Sequence, residues 1–103
     1  MDVSAYYVYE FAGAAGNSGM RALIALVTPN GRVQMRFYPD NTTLPTHTVS
    51  DPSSATPIYY VSYPYYQYAG VLDLLRNEKP LGFYFTNPGP YLCTSSEPVG
   101  EEE

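Results

Sequence analysis

The sequence predicts an α+β domain, an antiparallel sheet of about five to six strands with one helix packed on one face, in the order β-β-β-loop-β-α-β-β. Three observations carry this expectation. Residues 22–38 hold two apolar runs joined by Thr28-Pro29-Asn30-Gly31, the strongest hairpin signal in the chain. Further runs rich in β-branched and aromatic residues lie at 3–11, 57–63, 81–85 and 91–94. Over 64–78 the hydrophobic period changes from that of a strand to that of a helix.

Composition bounds the answer. The chain has 103 residues with twelve Tyr, ten Pro and only 15% charged residues, which suits short strands, many turns and an aromatic surface. Residues 1–96 read as a single domain, long enough to bury roughly two-thirds of the surface of its unfolded chain. Glu97, Glu101, Glu102 and Glu103 supply four of the ten acids behind the net charge of −5, so 97–103 reads as an acidic flexible tail. Without it, six acids face five bases and the body is near neutral. One cysteine excludes an internal disulfide and fits a reducing compartment. Met1-Asp2-Val3-Ser4 lacks the features of a secretory signal, and no run approaches the ~18 apolar residues of a membrane span. The expectation is a soluble cytoplasmic protein with no membrane association.

In the first strand, 3–11, the odd positions Val3, Ala5, Tyr7, Tyr9 and Phe11 are all apolar or aromatic. Residues 12–19 are small and predict a mobile loop. In the hairpin, Pro29-Asn30-Gly31 reads as a three-residue loop that sets Val27 opposite Val33. Asn30-Gly31 alone would set Thr28 there, but Pro29 has no N–H for the ladder. Val33, Met35 and Phe37 share one face of the second hairpin strand, and Arg32, Gln34, Arg36 and Tyr38 the other. Residues 22–27 are apolar on both faces, as in a central strand covered above and below.

Residues 39–57 hold four prolines and few apolar residues, and predict a long functional or disordered loop. Beyond the next strand, Tyr68, Val71, Leu72 and Leu75 form one helical stripe, with Pro64 in the first turn, Ser62 as a candidate cap, and Arg76 and Lys79 complementing the dipole. The helix should lie on the face carrying Val33, Met35 and Phe37. Leu81, Phe83 and Phe85 share a face of the fifth strand, and Asn87-Pro88-Gly89-Pro90 turns the chain into the last.

No catalytic set emerges. His47 is the only histidine, sits in the long loop beside the turn-forming Asp40 and Asp51, and reads as a solvated residue rather than a base or metal ligand. Cys93 stands at a strand end, away from the helix N-terminus that activates a C-x-x-S thiol, and reads as a small buried residue. The distinctive feature is aromatic. Tyr59, Tyr60, Tyr63, Tyr65, Tyr66 and Tyr68 crowd into ten positions, more than one face can bury, so some must point outward. Outward tyrosines are rigid, amphipathic contact area. The expected role is therefore a non-catalytic protein-interaction or self-associating module without cofactor or metal, working as a homo-oligomer or with a protein partner. Two alternatives are binding of a small ligand, nucleotide or anion at Gly13, Gly16, Asn17, Ser18 and Gly19, and stacking of single-stranded nucleic acid on the tyrosines. The first lacks the spacing of known phosphate loops, and the second lacks the bases to neutralise phosphates.

Overall fold

The structure is a computed structural model that describes residues 2–12, 19–50, 53–78, 81–86 and 89–94. The glycine-rich residues 13–18 and the acidic tail 97–103 lie outside them. The chain is α+β. A five-stranded sheet contains β1 (Ala5–Glu10), β2 (Ala22–Thr28), β3 (Gly31–Tyr38), β4 (Thr48–Ser50) and β5 (Ile58–Pro64). After β5 a single 3-10 turn (Tyr65–Gln67) leads into α1 (Tyr68–Asn77), and β6 (Leu81–Tyr84) and β7 (Tyr91–Thr94) pair as a separate two-stranded sheet.

The strand order of the larger sheet is β1-β2-β3-β5-β4. All its pairs are antiparallel except β3 with β5, which run parallel. A parallel pair needs a crossover of a dozen or more residues, and residues 39–57 provide it. The predicted loop thus carries a strand of its own: β4 lies at the sheet edge, and the chain turns back to insert β5 between β4 and β3. The expected all-antiparallel sheet is corrected on both counts, and β6 and β7 do not extend it.

The hairpin register differs from both expected forms. Thr28 pairs with Gly31 and Leu26 with Val33, so the loop is Pro29-Asn30 alone. The Thr28 hydroxyl closes it by donating to the Gly31 carbonyl at 2.8 Å. Gly31 is required where it stands, since φ is +155° and an added Cβ would come within 2.5 Å of the Pro57 carbonyl oxygen. A one-residue slip exchanges the faces of a strand. Ala22, Ile24 and Leu26, rather than Leu23, Ala25 and Val27, therefore join Val33, Met35 and Phe37 in the fully buried core. The other face of β2 is half-buried rather than sealed under a second layer. Tyr38, expected with the arginines, is buried at the strand end.

α1 covers the core face as its stripe predicts: Val71 and Leu75 are buried, and Tyr68 and Leu72 pack against the same cluster. Val61, Leu81 and Phe83 complete it. Burial of each large apolar side chain contributes about 1.5–3 kcal/mol. The expected Ser62 cap is not used, and Pro64 ends β5 instead of starting the helix. The Tyr66 N–H at the 3-10 turn is instead satisfied by the Asp40 carboxylate from across the fold, at 2.9 Å. The N-terminal segment ties the two sheets together: Val3 N donates to Leu81 O at 3.0 Å, and Ser4 N donates to Val27 O at 2.8 Å.

Candidate interaction surface

The corrected register decides which tyrosines meet solvent. Tyr6, Val8 and Glu10 pair with Leu26, Ile24 and Ala22 and share the core-facing side of the sheet, so Ala5, Tyr7 and Tyr9 stand on the opposite, open side. Tyr7 is 57% and Tyr9 50% exposed. The odd positions of β1, which the alternation marks as one apolar face, thus lie away from the helix. Across the same open side follow Leu23, Ala25 and Val27 of β2, then Arg32, Gln34 and Arg36 of β3, then Ile58, Tyr60 and Ser62 of β5.

On this face the Arg36 guanidinium stacks over the Tyr60 ring, 4.4 Å from its centroid. Its Nη2 donates to the Gln34 side-chain oxygen at 3.3 Å, while its buried Nε has no partner among the described residues. Stacking fixes the plane of the guanidinium and leaves a donor aimed without an acceptor. None of the described strand residues on this face is acidic. A chain with a net charge of −5 therefore presents two arginines here with no acid among the described strand residues of this face.

The tyrosine-rich stretch divides differently. Tyr63 stacks on Phe37 with centroids 5.0 Å apart, Tyr68 meets Phe37 edge-on at 5.2 Å, and Tyr59 packs on Phe85 at 5.0 Å. Tyr65 stacks on Tyr68 at 5.2 Å, lies under the Arg21 guanidinium at 4.9 Å and donates to the Glu10 carboxylate at 2.9 Å. Burial pushes the Tyr63 hydroxyl up to about 12. Burial and then the Glu10 carboxylate push Tyr68 to about 12, and the Glu10 hydrogen bond is the main cause of a rise at Tyr65. Tyr59, Tyr60, Tyr63, Tyr65 and Tyr68 are all half-buried with internal ring or cation partners. Tyr66 is the member that points out, 74% exposed. With Tyr63, Gly70, Leu74, Pro90 and Tyr91 it lines an open groove of about 460 Å³ between α1 and β7. Tyr84 and Tyr91 form a further exposed pair at 5.5 Å across β6 and β7.

The groups weighed for chemistry are placed apart from one another. His47 is exposed, as expected of a solvated residue, but its Nδ1 accepts the Ser62 backbone N–H at 3.1 Å, so it also terminates a strand ladder. Cys93 is half-buried in β7 rather than fully buried. Among the described residues no group of three or more His, Cys, Asp and Glu is placed to hold a metal ion, and no helix is long and apolar enough to cross a membrane. Of the glycine-rich loop only Gly19 is described, with φ at +83°; Gly13, Gly16, Asn17 and Ser18 lie outside the described residues. No protein-family model matches this chain, no curated protein matches its sequence and no solved structure matches its fold.

Proposed function

We propose that this protein is a cytoplasmic, non-catalytic interaction module that binds a partner protein across the open face of its five-stranded sheet. The observation that supports the reading is the strip Tyr7, Tyr9, Arg36 and Tyr60, which sets aromatic rings and an oriented, partly unsatisfied guanidinium over an apolar floor with no acid among the described strand residues of that face. Tyr and Arg are, with Trp, the residues enriched at energetic centres of protein interfaces, and a donor already held in place binds an acceptor at low entropic cost. Tyr66 and the groove beside it form a second, smaller aromatic patch on the helix side.

Site-specific photocrosslinking in cells tests this. A photoreactive amino acid in place of Tyr9 should give a discrete crosslinked species that Arg36→Glu abolishes, and one in place of Asp73 on α1 should not. Equal crosslinking from both positions, or none from position 9, overturns the reading.

The same face favours one second reading, single-stranded nucleic acid stacked on Tyr7, Tyr9 and Tyr60 with phosphates at Arg32 and Arg36. The net charge of −5 opposes it. Anisotropy of a labelled oligonucleotide at low salt distinguishes the two: binding that falls steeply as salt rises supports nucleic acid, and its absence removes it.

A further inference from the structure

We propose that two copies of this chain pair edge to edge through β1, antiparallel about a two-fold axis at Val8, joining their sheets into one. The pairing uses backbone groups in the plane of the sheet and does not rest on the reading of its open face. Phe11 N donates to Arg21 O at 3.0 Å, continuing the register in which Glu10 pairs with Ala22. In an antiparallel ladder this alternation turns the N–H and C=O groups of the odd residues toward β2 and those of Tyr6, Val8 and Glu10 out of the sheet. Among the described residues nothing pairs with them. An unpaired edge of this length is a template for another strand, and native proteins blunt such edges with charge, proline or a cover. β1 carries no proline, and its one charged residue is Glu10 at the end.

The occupant is a second copy because the strand is complementary to itself. Centred on Val8, the register sets Tyr7 against the copy's Tyr9 and Tyr6 against the copy's Glu10, so aromatic pairs form and no like charges meet. Val8, 40% exposed, meets its own equivalent. The strand backbones with Tyr7, Val8 and Tyr9 of both copies bury on the order of 1,000 Å², at the low end of specific interfaces. The dimer is accordingly a weak one, half-formed at roughly 10–100 µM chain.

Sedimentation of the full chain from about 1 to 500 µM should show that equilibrium. Val8→Lys sets two ammonium groups across the axis and should weaken it at least about tenfold, with the melting temperature of dilute protein unchanged. Amide exchange on the unaltered protein provides a reading independent of any variant: Tyr6, Val8 and Glu10 should gain protection as concentration rises, and Tyr7 and Tyr9 should not. A monomer at every concentration, a dimer indifferent to Val8→Lys, or exchange at Tyr6, Val8 and Glu10 that ignores concentration each overturns the proposal.

Discussion

The two edges of the five-stranded sheet are built on opposite plans. At one, β4 is only three residues long, and side chains finish the ladder where it stops: the His47 imidazole takes the Ser62 N–H, and the Ser50 hydroxyl accepts from Ile58 N at 3.3 Å. At the other, β1 runs six residues, and the outward backbone groups of Tyr6, Val8 and Glu10 find no acceptor or donor among the described residues. Two polar side chains thus take the β5 N–H groups that a strand this short leaves over. Where the sequence places tyrosine and valine instead, the edge stays available for pairing.

The largest perturbation should erase the contrast. Phe37 of the central strand β3 is fully buried, stacked on Tyr63 and edged by Tyr68. Phe37→Ala is expected to cost about 3–5 kcal/mol, and chemical denaturation followed by amide exchange should show both edges lost together. Gly31→Ala acts on the β4 side, where the new methyl group meets the Pro57 carbonyl. A loss of about 2 kcal/mol is expected, again by denaturant midpoint.

Alkali should weaken the region between the edges. The hydroxyls of Tyr63 and Tyr68 are raised from 10 to about 12 in the folded chain, and Tyr65 is raised as well. The folded state therefore holds protons that the unfolded state has already released, and their contribution is complete below pH 10 and lost as pH rises toward 12. On the order of 2 kcal/mol is at stake from Tyr63. Phenolate absorbance should show a component ionising as pH rises toward 12, with stability falling over the same window. The smallest effect should be local. His47→Ala removes the acceptor of the Ser62 N–H at a cost of about 1 kcal/mol; exchange at Ser62 should speed up while that at Val8 in dilute protein stays as it was.

Much of this architecture was legible in the residues, because periodicity reports burial directly. The hairpin at 22–38 and the stripe Tyr68, Val71, Leu72 and Leu75 follow from spacing alone. The register did not follow, because 22–27 is apolar on both faces and either set of residues satisfies the pattern. That single ambiguity propagates across the sheet: fixing Leu26 opposite Val33 is what sends Tyr7 and Tyr9 to the open face. β4 was invisible, since Thr48-Val49-Ser50 has no alternation to read within a polar loop. The parallel pairing of β3 with β5 rests on contacts between distant residues, which no local signal encodes. Asp40 likewise looked like a turn former because its acceptor role is toward Tyr66, far along the chain. The open-face strip draws single residues from β1, β3 and β5, so no stretch of sequence displays it, whereas the run 59–68 is conspicuous in sequence but largely folded against Phe37, Phe85, Arg36 and Glu10.

The bond from Val3 to Leu81, with the bridge between Asp2 and Gly82, has a consequence for biosynthesis. Residues 2 and 3 wait for residues 81 and 82 before they find their place. A growing chain can close the hairpin and lay down β1 early, but it cannot lock the small sheet to the large one until β6 has emerged. Contacts this far apart in sequence form slowly, so the clamp should be the final step of maturation.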